Sequence, residues 1–204
     1  MEANGFIAEG AVMVLAAGLA SRLAFRSKPD LLWVGDETLL QHQVATSQAA
    51  GFHTLVVSRL PRPEFWSVVN LSAEQGLSRS IHVGLQEIRR KLGSVAVGVL
   101  LADQPFVTAS DIRAVWHAFS RRPPGVHAVR ARYGAVPGHP VFFDPAWDSL
   151  VEALTGDRGL GALWRERSDG VFCDVEVKGR PQPSFDIDTE SAYHQALMWA
   201  REEA

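Results

Sequence analysis

Ala11-Val-Met-Val-Leu-Ala16 runs without a polar side chain into Ala17-Gly18-Leu19-Ala20-Ser21-Arg22, a loop of small residues. A strand covered on both faces reads as an unbroken apolar run, whereas a half-solvated strand alternates. The segment therefore predicts a central buried strand, followed by a turn whose backbone N–H groups stand uncovered. Further along, Thr54 to Ser58, Val68-Val69 and Val95 to Ala102 read as strands of the same kind, the last ending at Asp103-Gln104-Pro105. Between them lie helical faces. One starts at Leu39, Leu40 and Val44 and stops at Gly51; another is Ile81, Leu85, Ile88 and Leu92, stopping at Gly93. A third is Ile112, Val115, Trp116 and Phe119, with Thr108 or Ser110 as its cap. His127 to Tyr133, Val141 to Phe143 and Val171 to Val177 are further strands, and Tyr193, Ala196, Leu197 and Ala200 make a C-terminal helical face. Strand–helix alternation of this kind predicts an α/β fold with a mainly parallel sheet and helices on both faces.

Composition agrees with an ordinary globular protein. The 204 residues are 47% hydrophobic and 21% charged, and one domain over 1–204, with its core at about 11–200, is expected. The formal net charge of −3 argues against a general nucleic-acid binder. It leaves room for a phosphate-rich ligand held by a few placed cations. One cysteine, Cys173, excludes an intrachain disulfide and a cysteine metal cluster, and fits a reducing compartment. Met1 to Glu9 has no basic n-region, and no apolar run approaches the ~20 residues of a membrane span, so a cytoplasmic protein without a membrane partner is expected.

In open parallel sheets, ligands bind beyond the carboxyl ends of the strands. The residues there divide into several groups, each with two readings. Leu15, Ala16, Ala17 and Gly18 could let a polyphosphate approach the backbone, with Arg22 and Lys28 neutralising it, or could be a plain tight turn. Neither G-x-G-x-x-G nor a P-loop is present. Asp103, at the end of the most apolar strand, suits a hard cation such as Mg2+; it also suits a helix cap near Thr108 or an ion pair with Arg22. Asp186 and Asp188 share one face of an extended segment and could meet Asp103 at a metal, or Asp188 or Thr189 could cap the last helix. Gly76-Leu-Ser78-Arg-Ser80, after Asn70, offers donors at a helix start or is a capping turn. Gly138-His139-Pro140 and Gly156-Asp-Arg-Gly159 read as loops near an acceptor substrate, with a structural role as the alternative for His139. No zinc-hydrolase spacing and no G-x-S-x-G elbow appears. Arg89-Arg-Lys91 reads as a solvated helix end.

Taken together and in order, these segments resemble the MobA-like nucleotidyltransferases, most closely the molybdenum cofactor cytidylyltransferases. The resemblance spans about residues 12 to 197 and rests on Leu15-Ala-Ala-Gly18 with Ser21-Arg22, Leu39-Leu40, Asn70, Gly76 to Ser80 with Gly84-Leu85, Leu101 to Pro105 with Thr108, Gly138 to Val141, Gly156-Asp157-x-Gly159 and Asp186 to Thr189. It implies a Rossmann-like, GT-A-type fold and Mg2+-dependent transfer of CMP from CTP to the phosphate of a molybdopterin-type cofactor, with release of pyrophosphate. It assigns Arg22, Lys28 and Asp103 to catalysis and Asp103, Asp188 and alternatively Asp186 to Mg2+. It assigns Leu15 to Gly18, Asn70, Ser78, Ser80, Gly138 and His139 to binding, and implies a molybdoenzyme or its chaperone as recipient. The Ala-Ala-Gly form resembles the CTP-using branch more than the GTP-using one. The chain departs from the family pattern at Leu23-Ala24, Pro29-Asp30, Leu160-Gly161 and Glu190 to Ala192. A GTP-specific or sugar-phosphate nucleotidyltransferase of the same fold, or a non-catalytic nucleotide- or cofactor-binding relative, is the alternative.

Overall fold

The computed structural model describes residues 10–18, 27–166, 169–177 and 182–202. Its strands are β1 (Gly10–Ala16), β2 (His53–Ser58), β3 (Ser67–Val69), β4 (Ala96–Leu101), β5 (Ala128–Tyr133), β6 (Val136–Phe143) and β7 (Phe172–Glu176). They form one sheet in the order β3-β2-β1-β4-β6-β5-β7. β1 runs parallel to both β2 and β4, β2 parallel to β3, and β5 parallel to β7, while β6 runs antiparallel to β4 and β5. The helices are α1 (Leu39–Ala49), α2 (Leu77–Leu92), α3 (Ala109–Ser120), α4 (Asp148–Glu152), α5 (Gly161–Glu166) and α6 (Glu190–Glu202).

The unbroken apolar run of β1 follows from its two covered faces. Val12, Val14 and Ala16 join α1 (Leu40, Val44) and α3 (Ile112, Val115, Phe119) in one core. Ala11, Met13 and Leu15 join α2 (Ile81, Leu85, Ile88) and the short α4 and α5 in another. Successive residues of a strand point to opposite faces, so every position of β1 must be apolar. A third cluster, Leu31, Trp33, Leu39, Phe106, Ile187 and Ala196, fastens α6 over the carboxyl edge of the sheet.

Several expectations change. Helix α2 starts at Leu77 with Gly76 (φ +96°) as its N-cap, so Ser78 and Ser80 lie inside the helix and cap nothing. The cap of α3 is Thr108, in a reciprocal capping box with Asp111, and Ser110 is already helical. Gly138-His139-Pro140 belongs to β6, which begins at Val136, not to a loop. Arg89 is no solvated helix end: it grips both carboxylate oxygens of Asp148 at 2.6 and 2.8 Å and donates to the Val95 carbonyl. Cys173 is half-buried in β7.

Close packing against the sheet makes a measurable demand at Gly98, in β4. A Cβ there would lie 2.5 Å from Cε1 of Phe142, a fully buried ring with no room to withdraw. Gly98→Ala is expected to destabilise the protein by ~1–3 kcal/mol, read as a lowered denaturant midpoint at unchanged m.

Candidate active site

Chain order reverses at β1: β2 and β3 build outward on one side and β4 on the other. Loops diverging at such a switch leave a crevice beyond the strand ends. Here the two lips are Ala17-Gly18, after β1, and Ala102-Asp103, after β4, tied by the Ala102 N–H donating to the Leu15 carbonyl at 3.1 Å. Between them and the start of α2 opens a cleft of about 410 Å³, lined among others by Gly18, Lys28, Ser80, Asp103 and Asp157. Among the described residues a Cβ on Gly18 would meet nothing within 4 Å, and Gly18 is exposed.

Asp103 and the C-terminal aspartates do converge. The Ile187 N–H donates to the Asp103 carbonyl at 3.0 Å, and Ile187 is fully buried in the third cluster. Burying Ile187 turns its two neighbours outward over the rim. The ammonium of Lys28 then bridges Asp103 Oδ2, at 3.2 Å, and Asp188 Oδ1. Lys28 opens the short 3-10 turn Lys28–Asp30, whose Pro29 is buried, so the backbone fixes where its side chain starts. Thr189, not Asp188, caps α6, its Oγ1 accepting from the Ala192 N–H.

Among the described residues one cation, Lys28, faces three carboxylates, and the protonation equilibria register the imbalance. Burial, offset in part by Lys28 and reinforced by Asp188, holds the Asp103 carboxyl above the ordinary aspartate range. Asp186 is raised for the same reason, with Asp103 and Asp188 adding to it. Burial works against the Lys28 ammonium, but the two carboxylates outweigh it and its pKa rises. Further positive charge at this point would relieve the repulsion. The donors available are hard carboxylate oxygens, which suit Mg2+ or Mn2+. Among the described residues no three His, Cys, Asp or Glu side chains are grouped to hold an ion by themselves. An ion here would take its remaining oxygens from phosphate and water, the usual habit of Mg2+.

The other expected site residues are placed less uniformly. Leu15, Ala16 and Ala17 line the cleft, as does Ser80. Asn70 does not: it is 2% exposed, donates to Ser80 Oγ at 3.0 Å and accepts from the Ser72 N–H at 3.0 Å, so it shapes the turn. Ser78 is also consumed internally, its Oγ donating to the Gly156 carbonyl at 2.9 Å. Gly138 packs under the Tyr133 ring, where a Cβ would come within 2.8 Å. His139 stands behind the rim and reaches it through Gln104. Arg22 lies outside the described residues.

Gln104 is the residue that sequence reasoning passed over. Its Nε2 donates to Asp186 Oδ1 at 2.7 Å, and its Oε1 lies 2.9 Å from His139 Nδ1. With the amide nitrogen committed to a carboxylate, its oxygen must accept, so the His139 proton sits on Nδ1. The Gln104 carbonyl accepts from Gln43 Nε2, which is fully buried. Glutamine is a common surface residue, and only the tertiary contacts single this one out.

A family model, the MobA-like NTP transferase domain, matches residues 12–171. The chain belongs to that family. It is accordingly a nucleotidyltransferase of the MobA-like type. No curated protein sequence matches it. Among solved structures it is similar to a homologue of Mycobacterium tuberculosis Rv0371c from Mycobacterium sp. strain JC1, at 24% identity over 97% of this chain and 99% of that one, with a TM-score of 0.77. It is similar to Rv0371c of M. tuberculosis H37Rv in complex with manganese, at 22% identity over 93% and 98%, with a TM-score of 0.74. It is also similar to molybdopterin-guanine dinucleotide biosynthesis protein A of Archaeoglobus fulgidus, at 17% identity over 94% and 99%, with a TM-score of 0.72. These likenesses establish the Rossmann-like nucleotidyltransferase fold of this MobA-like protein. No helix among its described residues is long and apolar enough to cross a membrane.

The His139–Gln104–Asp186 chain generates a pH dependence. Burial, with Arg130 nearby, pushes the His139 pKa from 6.5 down to about 4. A group depressed in the folded state contributes stability above its unfolded pKa and loses it as pH falls through the folded one. Lowering the pH from 6.5 to 4 should therefore cost roughly 3 kcal/mol on this account. His139→Gln is expected to flatten that limb of the stability–pH curve, measured by denaturant unfolding at each pH.

Proposed function

We propose that this protein transfers CMP from CTP to the phosphate of a molybdopterin-type cofactor and releases pyrophosphate, with a divalent metal ion, Mg2+ by preference, at Asp103 and Asp188. The observation that carries the reading is the convergence of those two carboxylates on Lys28 at the lip of an open cleft next to Gly18. The MobA-like family supports transfer from a nucleoside triphosphate. The Ala16-Ala17-Gly18 form supports CTP. The manganese complex of Rv0371c supports a divalent ion, and the likeness to a molybdopterin-guanine dinucleotide biosynthesis protein supports a pterin acceptor.

In this reading Asp103 and Asp188 hold the ion, and Asp186, its Oδ1 committed to Gln104, steadies the segment. The ion would supply neutralisation of the phosphate charge. The backbone of the turn, exposed at Gly18, donates to the triphosphate. Lys28 lies where its ammonium can pair with an incoming phosphate as well as with the carboxylates. Ser80, held by Asn70, lines the nucleoside side of the cleft. An acceptor phosphate oxygen forms a bond to the α-phosphorus as the bond from that phosphorus to the bridging oxygen breaks, and the electron pair leaves on pyrophosphate. Phosphate monoesters are already ionised near neutral pH. No protein nucleophile or general base is needed, and catalysis reduces to positioning and charge stabilisation.

Pyrophosphate release should be greatest with CTP and a molybdopterin-type acceptor, against GTP, ATP and UTP. Asp103→Ala is expected to lower it by about a thousandfold or more while the circular dichroism of the folded protein is kept. Manganese should raise the wild-type melting temperature by mass action and leave Asp103→Ala unmoved. Near-normal turnover in that variant would remove the metal assignment.

A further inference from the structure

A second cavity, of about 340 Å³, opens on the far side of the same turn, lined by Ala16, Gly18, Ser27, Arg59, Leu60 and Arg62. It lies beyond the carboxyl end of β2. Ala16 pairs with Ser58 in the β1–β2 ladder, so Arg59 enters the rim level with Ala17. Arg62 comes from the same β2–β3 connection. Its Nη1 binds Asp30 Oδ1 at 2.6 Å, but its Nε is buried with no hydrogen-bond partner among the described residues. Arg59 is exposed and makes no hydrogen bond or ion pair among the described residues. Two guanidinium groups thus border a cavity that shares Ala16 and Gly18 with the cleft, and one buried N–H lacks an acceptor among the described residues. A buried unsatisfied donor calls for an explanation. The ion pair with Asp30 accounts for one edge of the Arg62 fork and leaves the Nε–H unaccounted for.

We propose that Arg59 and Arg62 form an anion subsite that receives the leaving pyrophosphate. The inference rests on the nucleotidyl-transfer reading above. In an in-line displacement the attacking and leaving oxygens stand on opposite sides of the phosphorus. Asp103 and Asp188, after β4 and before α6, lie on one side of Gly18; Arg59 and Arg62, after β2, lie on the other. With the acceptor phosphate at the carboxylates, the bond that breaks points toward the arginines. Guanidinium forks match phosphate oxygens in geometry and charge. Pyrophosphate gains negative charge as the bridging bond breaks, so this pair stabilises the departing group more than the bound triphosphate.

Calorimetric titration of the full chain with pyrophosphate, and separately with CMP and CTP, tests the assignment. Arg59→Ala, at an exposed position, should weaken pyrophosphate by about tenfold or more and leave CMP within twofold, and Arg59→Lys should restore part of the loss. Arg62→Lys keeps a cation for Asp30 and removes the unpartnered Nε–H. It too should weaken pyrophosphate selectively, with the melting temperature retained. Nucleotide binding by the wild type, together with pyrophosphate affinity indifferent to both substitutions, would overturn this subsite alone. A wild type that binds neither nucleotide nor pyrophosphate would overturn it together with the reading it rests on.

Discussion

The structure turns on a surplus of negative charge held at the edge of its sheet. Asp103, Asp186 and Asp188 are brought within mutual electrostatic reach, with Lys28 bridging two of them. Such a cluster is costly to assemble, since Asp103 and Asp186 are partly withdrawn from water. The cost is met by groups that do not themselves touch a ligand. Burial of Ile187 pins the segment between its two aspartates, and the Ile187 N–H is satisfied by the Asp103 carbonyl. Gln104 gives Asp186 a neutral donor and so leaves the charge uncancelled. The design concentrates an electrostatic demand where a cation and phosphates can answer it.

The opposite wall of the cleft is built by close backbone approach. Gly76 adopts φ +96°, and a Cβ on it would come within 2.3 Å of the Gly156 carbonyl carbon. The Ser78 N–H and Oγ both donate to the Gly156 carbonyl oxygen. Gly159 leaves similar room for Leu77, where a Cβ would lie 2.7 Å from Cδ2. The 155–160 loop is thereby seated on the first turn of α2 and carries Asp157 into the cleft lining. Gly156 and Gly159 look like acceptor-loop residues in sequence; in the fold their first task is to close one side of the site.

How far the sequence discloses this architecture depends on which interactions are local. β1 and β4 are legible because two covered faces leave no polar position, and β2 shows the same signal at Leu55 to Val57. Thr108 announces α3 because capping is decided within one turn. β6 is legible at Val141 to Phe143, but its first part is concealed by Pro137, Gly138 and Pro140, which ordinarily argue against a strand. α4 and α5 span five and six residues and are too short to show a helical period. Lys28, Asp103 and Asp188 stand out as ionisable residues at strand ends and loops. The inward turn of Asn70 and Ser78 and the bridging by Gln104 depend on contacts across 10 to 82 positions of chain. No local pattern encodes them.

Topology explains why these distant pieces meet where they do. The chain builds β1, β2 and β3 in one direction, returns through α2, and lays β4 on the other side of β1. The connections after β1 and β4 lead to α1 and α3 on one face of the sheet, while α2 covers the other, and the gap opens between the ends of β1 and β4 and the start of α2. The turn after β1 faces Asp103 across that gap and Arg59 across the β2 side. On the proposed reading, a linear polyphosphate laid over Gly18 has carboxylates at one end and guanidinium groups at the other. A bond broken between two such poles separates its products toward different strands. On the proposed reading, directionality of transfer is a property of strand order, to which the individual side chains at the rim supply charge.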